Sequence, residues 1–264
     1  MNRPDKVDPD FTALVEEVFA DYAAAMPADA PLGDADPAFA ERLESLGLAR
    51  LTTPESGGGS GATWREAAVV LRGAARHGVP VPAVEEDLLT GDLDADARRL
   101  RGALMRAVQM TGAMDAAVDL TVRHAAERRQ FGRPLAAFQA VQHLAADAAA
   151  EAALARAAAD AALSQAAATQ FTGDGLLFSV AVARSVCGHS GSTVVRNAHQ
   201  VHGAIGTTRE HILHRVTMPI LAWTNDFGSV AEWDAVLEQA ARDAGDAGLW
   251  ELVCGKNAAT AGIA

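Results

Sequence analysis

Three arginines surround a short turn near the middle of the chain, where they could bind a phosphate. Arg128, Arg129 and Arg133 flank Phe131-Gly132, at the point where one long helical pattern ends and another begins. A guanidinium stays charged at any relevant pH and can hold two phosphate oxygens at once. Arginines at the C-terminal end of a helix also offset the helix dipole, so a purely structural role remains open from these residues alone.

A second segment combines a polar side chain with glycines that would let a ligand approach the backbone. Gln200 and His202 are followed by Gly203 and Gly206, which are three residues apart. Glycine has no Cβ, so its backbone can lie close to a bound molecule. A helix that ends at a C-cap glycine before a corner explains the same residues without any ligand.

Two pairs of histidines lie near this second segment. His199 and His202 are three residues apart, as are His211 and His214, and no carboxylate or cysteine stands beside them at ligand spacing. Zinc sites are usually completed by such residues. We therefore expect these histidines to be hydrogen-bonded or exposed to solvent, and we expect no metal site.

Asp226 is the candidate for acid–base chemistry. It precedes Phe227-Gly228 and a helix predicted to begin near Ser229, so a capping role is the simpler interpretation. A base would need burial beside a carbon acid. The chain contains no P-loop, no nucleophile elbow and no glycine fingerprint that follows a strand.

The elements that must position these residues are helices. The chain has 264 residues, half of them hydrophobic and only 5% aromatic, and it is rich in alanine. This composition favours close-packed helices over sheets. Apolar periodicity predicts helices over residues 10–26, about 39–48, 63–77, 100–129, 136–169, 174–202, 207–218 and 229–243.

These helices predict an all-α fold in two parts. An N-terminal helical domain covers residues 1–82, and a short linker covers 83–99. An up-down four-helix bundle follows over 100–250, because long helices joined by short turns pack antiparallel. Residues 251–264 are expected to be a tail.

Charge and cysteine content narrow the partners and the compartment. The net charge of −12 argues against nucleic acid and against an anionic membrane surface as partners. Cys187 and Cys254 form no CxxC pair, so neither a disulfide framework nor a zinc site is indicated. The sequence begins without a secretory signal and has no apolar stretch of membrane-spanning length, so we expect a cytoplasmic protein.

Taken together, the motifs resemble the acyl-CoA dehydrogenase family in order and spacing. The resemblance is closest to short subunits of actinobacterial heteromeric enzymes of the sterol side-chain type. In the N-terminal part it rests on Leu46-Gly47-Leu48, Pro54-Glu55 and Glu66-Ala67-Ala68; in the C-terminal part it rests on Arg128-x-x-Phe131-Gly132, Phe138-Gln139-x-x-Gln142 and Gln200-x-His202-Gly203-x-x-Gly206.

The resemblance implies FAD as cofactor, with its ADP portion gripped across a subunit interface. The partner would be a full-length acyl-CoA dehydrogenase subunit or a second copy of this chain. An acyl-CoA substrate and an electron acceptor protein are implied as well. The positions that match cofactor-binding residues of the family are Arg128, Phe131, Gln139, Gln200 and Gly203.

Two departures from the family pattern bear on catalysis. Only seventeen residues separate Pro82 from Leu100, too few for the β-domain that the family places between its helical domains. The two positions where the family has a catalytic glutamate are Thr224 and Gly102 here, so Asp226 is the nearest carboxylate that could act as base.

These features predict the smaller subunit of a heteromeric enzyme that introduces an α,β double bond into a bulky acyl-CoA thioester. A full-length partner would supply the β-domain, the base and the thioester pocket. Two alternatives remain open. One is a flavin-free subunit that serves assembly only, and the other is an active homo-oligomer that uses Asp226 as base.

Overall fold

The computed structural model describes residues 6–27, 36–172 and 175–254, and in these ranges the chain is almost entirely helical. The one sheet found there is a two-stranded hairpin, β1 (Arg129–Gln130) and β2 (Arg133–Pro134). None of the helices in these ranges is long and apolar enough to cross a membrane. The all-α prediction is therefore confirmed. The helices are α1 (Pro9–Ala25), α2 (Pro37–Ser45), α3 (Trp64–Arg76), α4 (Pro82–Leu88), α5 (Ala95–Glu127), α6 (Gln139–Thr169), α7 (Leu176–His202), α8 (Leu213–Trp223) and α9 (Val230–Cys254).

The three longest helices, α5, α6 and α7, pack against one another and form the centre of the bundle. The buried face of α6 is made almost wholly of alanine, which has no side chain beyond Cβ and so lets neighbouring helices approach closely. Helix α8 packs on α5, and α9 packs on α7. The buried alanines of α6 are Ala148, Ala152, Ala155, Ala159, Ala162 and Ala166.

The N-terminal helices join the bundle through α3, which lies against α5. A Cβ added to Gly112 on α5 would lie 2.4 Å from the carbonyl oxygen of Arg72 on α3, so the glycine permits a close approach of the two backbones. The Arg72 Nε also donates to Thr111 Oγ1 at 3.0 Å. Buried side chains from both sides of the predicted linker form one hydrophobic cluster. The division into domains stays a prediction.

Helix α4 lies where the sequence predicted only a linker. It has seven residues, begins at Pro82 and buries Val84 and Leu88. The buried Asp87 carboxylate accepts hydrogen bonds from the backbone and hydroxyl groups of Thr52 and Thr53, which ties this helix to the loop before α3. Apolar periodicity could not reveal a helix of two turns.

The bounds of three further helices differ from the prediction. Helix α8 spans Leu213–Trp223 instead of 207–218, because Gly203–Thr207 forms a separate 3₁₀ turn before it. Helix α5 begins at Ala95 instead of residue 100, because Asp94 caps it by accepting from the Ala97 N–H at 2.7 Å. Helix α9 continues past residue 243 to Cys254, with a break at Gly245, whose φ is 61°. Residues 251–254 of the predicted tail are thus helical, and the rest of it lies outside the described residues.

Candidate functional site

The predicted site residues lie at opposite ends of the bundle. What we call the hairpin end consists of the end of α5, the β1–β2 hairpin, the start of α6 and the segment 200–211. What we call the Asp226 end consists of the start of α5, the loop 224–229 after α8, and Arg184 on α7. Helices α5 and α7 connect the two ends, which therefore belong to one rigid set of elements.

At the hairpin end the chain reverses within two residues. Arg129 pairs with Pro134 and Gln130 with Arg133 in an antiparallel register. The two residues of the tip, Phe131 and Gly132, have φ values of 52° and 80°, as tight hairpins require. A positive φ is unfavourable for phenylalanine. The Phe131 side chain is nevertheless 90% exposed, and its ring lies edge-on to that of Phe138 with 6.1 Å between the two centroids.

The hairpin arginines have no carboxylate partner among the residues that the structure describes. Arg129 donates to the carbonyl oxygen of Gly132 at 3.1 Å, and the Arg133 guanidinium stacks 4.1 Å from the centre of the Phe138 ring. Arg128 is exposed. In a chain with a net charge of −12, this leaves a local positive surface that can attract an anion.

Three of the five predicted cofactor-binding residues line one cavity of about 710 Å³, namely Arg128, Gln200 and Gly203. Gly203 ends α7 with φ 63° and ψ −142°, a conformation that suits glycine. No atom lies within 4 Å of the position that its Cβ would take, so its backbone faces open space. Phe131, at the hairpin tip, and Gln139, exposed at the start of α6, do not line this cavity.

At the Asp226 end the carboxylate is already bound. Asp226 Oδ2 accepts from Arg106 Nε at 2.9 Å, and the same guanidinium lies 2.8 Å from a carboxylate oxygen of Glu85. Gln109 joins them by accepting from Arg106 and donating to Glu85. The contacts of Asp226 are therefore those of an ion-pair network that connects α4, α5 and the loop after α8.

Both positions where the resemblance predicted a glutamate are engaged in other contacts in this arrangement. A Cβ at Gly102 would lie 2.3 Å from Cε1 of Phe227, so the phenyl ring fills the space that a longer side chain needs. Thr224 uses its hydroxyl to donate to the Ile220 carbonyl at 2.8 Å. The ring of Phe227 on Gly102 is a feature that the sequence did not reveal.

The sequence also did not reveal the role of Arg184. Its side chain is 1% exposed, and burial lowers its pKa to about 10, so it stays charged at neutral pH. The sequence did contain an indication of this role, because a charged residue on the apolar face of a long helix must be buried with polar partners. Arg184 Nη2 donates to four carbonyl oxygens, those of Trp223, Thr224, Asp226 and Gly228, at 2.9 to 3.3 Å.

One histidine, His202, meets the expectation at only one of its two ring nitrogens. His202 is 5% exposed, and its Nδ1 donates to the Ala198 carbonyl at 2.7 Å. Its Nε2 is buried without a hydrogen-bond partner. His124 of α5 and His211 pack against this ring, with centroid distances of 4.4 and 4.7 Å. His124 had no place in the sequence pattern because it lies on another helix.

Residues 98–225, which include most of α5 and all of α6, α7 and α8, match the acyl-CoA dehydrogenase C-terminal domain. The helices within residues 98–225 therefore form an acyl-CoA dehydrogenase C-terminal domain. The acyl-CoA dehydrogenase IpdE2 of Mycolicibacterium smegmatis is 37% identical over 109 residues, which are 41% of this chain and 32% of that protein. The matched segment covers about a third of the length of this relative and of the similar protein from Mycobacterium tuberculosis.

Solved structures extend the likeness to most of the chain. A chain of the ChsE4-ChsE5 complex from Mycobacterium tuberculosis matches with a TM-score of 0.77 and 16% identity, over 90% of this chain and 98% of that one. A chain of the Tcur3481-Tcur3483 steroid ACAD G363A variant matches with a TM-score of 0.75 and 18% identity, over 89% and 97%. At these identities the likeness establishes the fold.

Proposed function

We propose that the chain is the smaller subunit of a heteromeric, FAD-dependent acyl-CoA dehydrogenase. One contrast carries this proposal. The hairpin end presents Arg128 on an open cavity without a carboxylate partner among the described residues, whereas at the other end Asp226 is bound to Arg106 and Phe227 is packed on Gly102. Such a chain can hold part of a cofactor, but it needs a partner to supply a base.

At the hairpin end, the residues suit the diphosphate part of FAD. The Arg128 guanidinium would neutralise phosphate charge and can bond two oxygens. The Gln200 amide would orient the ligand with one donor and one acceptor. Gly203 would allow backbone contact because no side chain shields it. When bound, FAD would accept the hydride that leaves the β-carbon of the acyl-CoA.

The similar proteins support a partner and a bulky substrate. One matching fold comes from a two-protein complex, and another belongs to a protein described as a steroid acyl-CoA dehydrogenase. We extend both features to this chain. A full-length subunit would contribute the base, the thioester pocket and the β-domain, and the acyl group would be of sterol side-chain size. A cytoplasmic location and an electron acceptor protein belong to the same proposal.

The decisive experiment is co-expression with a full-length acyl-CoA dehydrogenase. The mixed complex should be isolated and should show flavin absorbance. Arg128→Ala should lower the flavin bound per complex by roughly 10-fold or more, because a charge-assisted bond to phosphate contributes about 1.5–3 kcal/mol. Arg42→Ala, which removes an exposed arginine on α2, is the matched control and should leave flavin content unchanged.

If the complex forms with Arg128→Ala and keeps its full flavin content, the assignment of the hairpin end is wrong. If it forms without flavin in the wild type, the chain is an assembly subunit. The homo-oligomer alternative is tested with the chain alone in a dye-coupled assay. Turnover that Asp226→Asn abolishes would replace the proposal of a partner-supplied base.

A further inference from the structure

Three histidines from three separate elements meet beside the cavity at the hairpin end. His124 lies in the last turn of α5, His202 is the last residue of α7, and His211 precedes α8. One ring nitrogen of each can be chosen so that all three lie within 4.8 Å of one another, and this is the one such group of potential metal ligands found in the described ranges. The cluster joins segments that are far apart in sequence.

The ring of His202 is oriented as a metal ligand would be. Its Nδ1–H donates to the carbonyl oxygen of Ala198, so in the neutral ring the lone pair is at Nε2. That atom is buried and accepts no hydrogen bond. Buried polar atoms almost always have a partner, and histidine ligands commonly donate their other ring nitrogen to a backbone carbonyl. An unbonded, buried Nε2 beside two other imidazoles is a set of nitrogen donors that suits a cation.

We propose that His124, His202 and His211 form a binding site for a divalent transition-metal ion of the Zn²⁺, Co²⁺ or Ni²⁺ class. Imidazole suits these ions, whereas Mg²⁺ and Ca²⁺ prefer oxygen ligands, and the cluster offers none. The ion would tie the end of α5 to the end of α7 and to the segment before α8. It would do so independently of any flavin.

Three protein ligands leave one coordination position open. His124 and His202 line the same cavity as Arg128 and Gln200, so the open position faces that cavity. Arg128 lies one turn beyond His124, and its positive charge repels any further cationic group. An anion such as hydroxide or a phosphate oxygen is therefore the favoured fourth ligand of the ion. The metal site and the candidate phosphate surface would then be adjacent.

Binding requires a small contraction. Nitrogen donors bound to one zinc ion at about 2.0–2.1 Å in a tetrahedron lie roughly 3.4 Å apart. His211 is the ligand that must adjust, because its Nδ1 accepts from the Leu213 N–H at 3.1 Å, which keeps the proton on Nε2. It lies in the irregular segment between the turn Gly203–Thr207 and α8, where a ring can reorient without breaking a helix.

Two other histidines provide matched controls. His199 Nε2 lies 3.1 Å from Thr217 Oγ1, and His214 Nδ1 donates to the carbonyl oxygen of His211 at 2.8 Å. Both rings therefore have partners of their own. They are the sequence neighbours of the proposed ligands, and their ring bonds go to Thr217 and to the backbone of His211 instead of to a ring of the cluster, so they report non-specific imidazole binding.

The test uses the full chain without an affinity tag, stripped of metal by a chelator. Cobalt is added in stoichiometric amounts and followed by its visible absorption, and zinc is measured by calorimetry and by displacement of cobalt. We expect one ion per chain and a higher melting temperature with zinc. His124→Gln and His211→Gln should each weaken zinc binding by more than about 10-fold, whereas His199→Gln and His214→Gln should leave it unchanged.

His202→Gln removes a buried ring and could unfold the chain. The test therefore relies on the variants of His124 and His211, which are only half-buried. The proposal is overturned if the wild type binds neither cobalt nor zinc at stoichiometric concentration. It is equally overturned if the control variants weaken binding as much as the ligand variants do. Either result leaves the flavin proposal untouched, because flavin content is measured in the mixed complex with Arg128→Ala.

Discussion

At the Asp226 end, the guanidinium groups of Arg184 and Arg106 are bound to partners inside the chain, whereas at the hairpin end three arginines have no carboxylate partner. Arg184 holds the loop after α8 in place, and Arg106 holds the ion-pair network. Of the hairpin arginines, Arg128 lines the cavity. Residue type alone does not distinguish the two uses. The partners do: Arg184 and Arg106 contact carbonyl and carboxylate oxygens of the chain, although the Arg184 Nε has no hydrogen-bond partner, whereas Arg128 faces a cavity that a ligand could enter.

Glycines show the same contrast. At Gly102 the missing side chain is replaced by the ring of Phe227, which packs against the backbone. At Gly203 nothing lies within 4 Å of the absent Cβ. The space beside Gly102 is used by the chain itself, and the space beside Gly203 is left open. This contrast supports the proposed function, in which the chain offers a cofactor surface and its partner supplies the base.

The largest effect should follow from removing the buried guanidinium at the Asp226 end. Arg184→Met deletes a group that donates to four carbonyl oxygens and is 1% exposed. Leaving those carbonyls unbonded should lower the free energy of unfolding by about 3–5 kcal/mol. Urea unfolding of the isolated chain measures it. Arg128→Met at the exposed hairpin end is the control, with an expected change within about 0.5 kcal/mol.

If the two variants lose equal stability, the distinction between the ends fails. A loss confined to Arg184→Met would also explain why the loop 224–229 keeps its shape without a catalytic glutamate. The carbonyl oxygens of Thr224 and Asp226 both accept from this guanidinium.

The long helices were predictable because their apolar periodicity extends over many turns, and five of the predicted helices, α1, α2, α3, α6 and α7, lie close to their expected positions. Helix α4 and the hairpin strands were too short to leave such a pattern. At the site, the shared cavity of Arg128, Gln200 and Gly203 was anticipated through family motifs. The Phe227 ring on Gly102 was not, since that contact joins residues far apart in sequence. Such contacts arise from helix packing, which periodicity does not describe.

An intermediate effect is expected at Gly102, where the closed packing can be tested directly. Gly102→Ala places a Cβ 2.3 Å from Phe227 Cε1, so the ring must move and the free energy of unfolding should fall by about 1–3 kcal/mol. In a Phe227→Ala background the added methyl group has room. The cost of Gly102→Ala should then largely vanish, which a double-mutant cycle measures. Additive losses would show that Phe227 does not fill this space in solution.

The smallest effect concerns the hairpin tip, where stability and binding should change in opposite directions. Phe131 has a positive φ that asparagine tolerates better, and asparagine before Gly132 is the preferred sequence for this turn. Phe131→Asn should therefore raise the free energy of unfolding of the isolated chain by about 0.5–1 kcal/mol. Thermal unfolding measures the gain, and Phe131→Leu is the control, because it removes the aromatic ring but keeps the unfavourable backbone.

The same Phe131→Asn variant should lower the flavin content of the mixed complex. A ring that is 90% exposed and held in a strained conformation is expected to contact a ligand or a partner subunit. A variant that is more stable and binds flavin as well as the wild type would mean that the ring has no role at the interface, and the hairpin end would then rest on Arg128 alone.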